Sequence, residues 1–77
     1  MTSYEKELAC LCYNHFKSTG LKEFTYYALN GNDLCFASDA TSSMEEDGYI
    51  SNVVDNGFSF SFTIEDSLIR YMQQLES

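Results

Sequence analysis

The chain has no proline, no tryptophan, one histidine and only four basic residues. It also lacks any apolar run of the ~18 residues that a membrane span needs. No basic segment followed by an apolar one stands at the start, so neither a secretory signal nor a membrane anchor is expected, and a soluble cytoplasmic protein is. No linker rich in proline, glycine or serine and no internal repeat divides the 77 residues. Residues 1–77 are therefore expected to form a single small domain. Against four cations stand 12 carboxylates, for a formal net charge of -8 and a pI near 4.2. Affinity for nucleic acid comes largely from Lys and Arg displacing counterions, so this balance argues against a phosphate-binding surface unless the few cations cluster.

Cysteine is scarce too. Cys10, Cys12 and Cys35 form an odd set without CxxC spacing. On a helix Cys10 and Cys12 point about 200° apart, which is poor geometry for joint metal ligation. They read as small buried or half-buried thiols of a reducing compartment. What the chain does have is 6 Phe and 6 Tyr, which separates it from the aromatic-poor acidic chains that stay disordered. A domain of this size buries only about 60% of its unfolded surface, so its stability should be modest and self-association is left open.

The carboxylate excess is not spread evenly. Residues 1–32 carry Glu5, Glu7 and Glu23 against Lys6, Lys17 and Lys22, and every excess acid falls after them, with Arg70 the one later cation. Thr2 and Glu5 have the spacing of a capping box, and Tyr4, Leu8, Leu11, Cys12 and His15 or Phe16 recur at helical spacing, so a first helix is expected from about Ser3 to Ser18, ended by Gly20. A second, shorter helix fits Lys22 to Leu29, with Asn30-Gly31 as its stop, although Phe24-Thr25-Tyr26-Tyr27 would also suit a strand. A third helix is expected from near Asn32 or Asp33 to about Asp47, on the stripe Leu34, Ala37, Ala40, Thr41 and Met44, with Gly48 as the left-handed stop. Glu45, Glu46 and Asp47 crowd its last turn, where each opposes the helix dipole at a cost of roughly 0.3 to 1 kcal/mol.

After Gly48 the period becomes two. Tyr49–Val54 and Phe58–Thr63 flank the turn signal Asp55-Asn56-Gly57 and form a hairpin whose three Phe should share the face packed on the helices. Thr63 and Asp66 should then cap a final helix running through Ile64, Leu68, Tyr71 or Met72, and Leu75.

Helix, short helix, helix, hairpin, helix is the order of a winged helix-turn-helix domain. Ala40-Thr41-Ser42-Ser43-Met44-Glu45-Glu46-Asp47-Gly48-Tyr49-Ile50 resembles that family's passage from third helix into wing, and Gly57–Glu65 resembles its second wing strand and the helix start beyond. The resemblance spans about residues 3–75, and its specific part is residues 40–65. It implies an α+β fold of three N-terminal helices, a two-stranded wing and a C-terminal helix. In DNA-binding members the third helix enters the major groove. Here its exposed positions come from Asp33, Ser38, Asp39, Ser42, Ser43, Glu45 and Glu46, with Asp55 at the wing tip. Carboxylates in that pose repel phosphates.

Other chemistry finds little support in the residues. His15 has no second histidine for a metal site and, with Cys12, no evident oxyanion donors, so it reads as a surface or boundary residue. The run Glu45-Glu46-Asp47 lacks the spacing of a calcium loop, and Gly31 and Gly57 do not make a phosphate-cradling loop. No enzyme, metal or cofactor is expected. The surplus of tyrosines beside carboxylates suits a basic protein partner instead. The expectation is an acidic protein-binding module in which Asp33, Asp39, Glu45, Glu46, Asp47, Tyr49 and Asp55 engage a basic groove. By analogy of size and charge, a phage-encoded DNA mimic that inhibits a nucleic-acid enzyme, such as an anti-CRISPR protein, has these properties. The alternatives are a DNA-binding regulator whose Lys6, Lys17 and Lys22 come together, and a homodimerising assembly domain.

Overall fold

A computed structural model describes residues 1–76. Its elements run α1 (Ser3–Thr19), β1 (Glu23–Tyr27), α2 (Gly31–Glu46), β2 (Ile50–Asp55), β3 (Ser59–Ile64) and α3 (Asp66–Glu76). The strands form one antiparallel sheet in the order β1-β3-β2. The expected three N-terminal helices with a two-stranded wing are thus not what the chain forms: residues 22–29 contribute an edge strand, the described residues hold no helix-turn-helix pair, and the sheet has three strands. The physical reason lies in length and partnership. A segment of this size is too short to sustain a helix by itself, whereas β3 offers a free edge. Phe24 and Tyr26 align with Phe62 and Phe60 on the core face, and Thr25 aligns with Ser61 on the other.

Local chemistry sets the boundaries. At the start of α1 the Glu5 N–H donates to Thr2 Oγ1 at 3.2 Å and the Thr2 N–H donates to Glu5 Oε2 at 3.3 Å, completing the capping box. Gly20 ends the helix at φ 74°. Asn30-Gly31, read above as a stop, instead starts α2: Asn30 Oδ1 accepts the Asp33 N–H at 2.8 Å, leaving Gly31 as the first helical residue. At the far end Gly48 takes φ 82°, as a left-handed stop requires. In the hairpin turn the Gly57 N–H donates to Asp55 Oδ1 and the Asn56 N–H donates to the Ser59 carbonyl, both at 2.9 Å. A bulge between Ser51 and Val54, with Asn52 at φ 54°, twists β2. Thr63 caps nothing, because it lies in β3 opposite Glu23 and Ser51.

The helices cover one face of the sheet. Leu8, Ala9, Cys12 and Tyr13 of α1 meet Ala37, Ala40 and Met44 of α2, Ile50, Phe60, Phe62 and Ile64 of the hairpin, and Leu68, Ile69 and Met72 of α3 in one core. Two of the three hairpin phenylalanines join it. Phe58 falls in the turn and is exposed, where its carbonyl accepts the Ala28 N–H at 2.8 Å. The opposite sheet face carries Thr25, Ser51, Ser61 and Thr63, with the Thr25 and Ser61 hydroxyls 3.0 Å apart.

Candidate protein-binding surface

The seven residues expected to meet a partner do not form one patch. Asp33 sits at the start of α2 and is tied inward. The Tyr4 hydroxyl donates to its Oδ1 at 2.7 Å, the Tyr26 hydroxyl to its Oδ2 at 2.6 Å, and the Leu29 N–H to Oδ2 at 2.9 Å. These bonds, Tyr26's first, hold the Asp33 carboxyl below its ordinary range. Burial, reinforced by the same contacts, pushes the Tyr4 and Tyr26 hydroxyls up. Asp33 therefore joins α1, β1 and α2. Tyr49 is half-buried, its ring 5.7 Å from that of Tyr71. Asp55 builds the hairpin turn. Because Ala28, two residues before the α2 cap, bonds to Phe58, that turn lies against the segment leading into α2 and not against its last turn.

The remaining four stay together. Asp39, Glu45, Glu46 and Asp47 are all exposed on the outer side and final turn of α2. Glu45 leans toward the hairpin, its Oε2 3.4 Å from the Val53 nitrogen at the bulge. Asp39 and Glu46 lie seven residues apart on one stripe with Phe36 and Ser43. This stripe forms one wall of a groove of about 500 Å³, whose other wall is the start of α1. Tyr4 and Phe36 face each other there with ring centroids 5.8 Å apart, and the groove is lined also by Glu5, Asp39, Ala40 and Ser43. Sequence periodicity overlooked Phe36, although the signal was present: it lies off the apolar stripe of α2, and 60% of it is exposed.

The cations are placed elsewhere. Lys17 Nζ lies 2.9 Å from Glu76 Oε1, over the Tyr13 ring, whose hydroxyl donates to Glu76 Oε2 at 2.9 Å. Lys22 is paired with Asp66. Each pairing holds its carboxylate below the ordinary range, chiefly through the lysine. His15 is half-buried against Phe24, with Nε2 donating to the Glu23 carbonyl at 2.9 Å. Cys12 is enclosed in the core, where burial pushes its thiol up to about 12. Cys10 and Cys35 are exposed. Among the described residues no three His, Cys, Asp or Glu side chains gather as metal ligands do, and no helix is long and apolar enough to cross a membrane.

No protein-family model matches the chain, and neither a curated protein nor a solved structure matches it.

Proposed function

We propose that this chain is a non-enzymatic protein-binding module whose carboxylate face engages a basic surface on a partner protein. One observation carries the reading: no cation occurs between Lys22 and Arg70, so α2 and the hairpin expose Asp39, Glu45, Glu46 and Asp47 with no Lys or Arg on either element to neutralise them. Such a face attracts Lys and Arg over a Debye length of about 8 Å at physiological salt and repels phosphates. A groove that ordinarily holds nucleic acid is its natural complement, since carboxylates take the place of phosphates there, and the module then acts as a competitive DNA mimic. The DNA-binding alternative needs Lys6, Lys17 and Lys22 to act together, yet Lys17 and Lys22 already have carboxylate partners.

The test is retention of a basic partner on the immobilised chain at two salt concentrations, beside a variant with Glu45, Glu46 and Asp47 changed to Lys. Retention should fall with salt, be displaced by excess duplex DNA and vanish in the variant. Binding of a duplex by the chain itself at micromolar concentration overturns the reading.

A second reading, homodimerisation, is favoured by β1. It is an edge strand paired on one side only, and Tyr27 and Leu29 at its end are 71% and 84% exposed, close to the exposed Phe58. Free edges of this kind pair with other strands. Light scattering across a concentration series, with Thr25→Pro to spoil the edge, distinguishes it.

A further inference from the structure

We propose that the groove between the start of α1 and the middle of α2 receives an arginine side chain of the basic partner, so that this one residue anchors the complex. The inference rests on the protein-binding reading and adds the place and chemistry of the contact.

The groove joins features seen nowhere else among the described residues. The rings of Tyr4 and Phe36 and the methyl of Ala40 line it, Asp39 on α2 supplies an exposed carboxylate, Glu5 on α1 is buried in the helix cap, and no lysine or arginine lines it. The Tyr4 hydroxyl is turned away to Asp33, so the ring pair offers π-faces and edges. Phe36 is 60% exposed, although Ala37 and Ala40 beside it are buried, so the ring covers none of the chain's own core fully. A cation with a flat, weakly hydrated face complements such a surface: it stacks on Phe36 and pairs with a carboxylate at its edge. Guanidinium has that shape, and an ammonium does not.

Direction follows from the charges. The α1 start presents the positive end of a helix dipole near Thr2 and Ser3, and Glu5 Oε2 is occupied by the Thr2 N–H. The guanidinium is therefore better placed at the opposite end, where Asp39 and Ser43 supply acceptors, with the aliphatic stem over the rings. A volume of about 500 Å³ falls within the roughly 300–1,000 Å³ of ligand pockets, enough for one side chain and the backbone that bears it. Asp39 and Glu46 then continue the acidic stripe beneath the flanking residues of the partner.

The experiment uses the isotope-labelled chain at low ionic strength, titrated with acetyl-Gly-Gly-Arg-Gly-Gly-amide and with peptides carrying lysine or neutral citrulline in the arginine's place. Amide shifts should concentrate at Tyr4, Phe36, Asp39 and Ser43 with the arginine peptide, be several-fold weaker with lysine, and be absent with citrulline. Phe36→Ala and Asp39→Asn should each weaken the arginine response at least threefold, with thermal melting confirming that these exposed substitutions leave the fold intact. Equal responses to lysine, or an undiminished response in Phe36→Ala, overturn the anchor. Shifts confined to Glu45, Glu46 and Asp47 also overturn it while leaving the protein-binding reading standing. Failure of even hepta-arginine to bind anywhere removes both.

Discussion

Replacing Asp33 separates a structural carboxylate from a partner-binding one. The side chain accepts from two tyrosine hydroxyls and one backbone N–H at 2.6 to 2.9 Å, and these bonds hold α1 and β1 against the start of α2. Hydrogen bonds to a charged group contribute about 1.5–3 kcal/mol each when buried. Asp33 is only half-buried, so water screens the charge and re-solvates the freed hydroxyls, and we expect Asp33→Ala to cost about 2 kcal/mol in total. For a domain of this length that lowers Tm by roughly 10 °C. Urea unfolding followed by circular dichroism measures it directly. Tyr26→Phe serves as the second arm of a double-mutant cycle: it should destabilise the parent and add little in the Asp33→Ala background, because the two share one bond. Asp39→Ala, whose carboxylate faces the groove, should stay within about 0.5 kcal/mol of the parent. If Asp33→Ala unfolds at the parent's midpoint, the bonds to Tyr4 and Tyr26 contribute nothing net, and Asp33 returns to the list of carboxylates free to meet a partner.

Acid should weaken the fold in a defined window. The folded carboxyls of Asp33, Asp66 and Glu76 lie below their unfolded values, so their contribution is full above about pH 5 and is lost as pH falls through the lowered folded values; a pH series of melting temperatures that stays flat from 6 down to 3 contradicts this. Tyr4 has the opposite sense: its raised folded value means that stability declines once pH rises above about 10, where the unfolded tyrosine ionises first. Thiol titration should find Cys10 and Cys35 reactive in the native protein and Cys12 only in denaturant, and three fast thiols in the native state would place Cys12 outside the core. Gly48→Ala should cost about 1 kcal/mol, because a Cβ at φ 82° is strained even with open space around it, and an unchanged unfolding midpoint would show that the turn re-forms without left-handed backbone.

Much of the architecture was legible wherever a signal is local. Thr2 with Glu5, Gly20, Gly48 and the turn Asp55-Asn56-Gly57 each act within a few residues, and the structure uses all of them near their expected positions. Residues 22–29 failed because their conformation is decided from outside. Phe24, Tyr27 and Ala28 fit a helical stripe about as well as Phe24-Thr25-Tyr26-Tyr27 fits a strand, and β3, some 35 residues later, settles the matter by offering hydrogen bonds and the rings of Phe60 and Phe62. The misassigned start of α2 follows from the same error, since Asn30-Gly31 signals an end only if a helix precedes it. Charge was equally ambiguous. Composition along the chain located the acidic excess in α2 and the hairpin, but not that Tyr4 and Tyr26 capture Asp33, or that Asp55 is consumed by a turn. Those are tertiary facts, and they reduce seven candidate residues to a face on the outer side of α2.

Glu46 shows whether that face is retained for binding. It lies exposed in the last turn of α2, where a negative charge opposes the helix dipole. Glu45 recovers part of that cost through the Val53 N–H, and Asp47 occupies the C-cap, but among the described residues none donates a hydrogen bond to the Glu46 carboxylate. Glu46→Lys removes an unfavourable charge and supplies a favourable one, so stability should rise by about 1 kcal/mol. On the protein-binding reading the same substitution weakens retention of a basic partner, and the loss should grow as salt is lowered. A merely solvated helix end predicts the stability gain with retention unchanged. A loss of stability would mean instead that Glu46 has a structural role, and the dipole argument would fail with it. Opposite signs in the two measurements are the mark of a charge held against the interest of the fold.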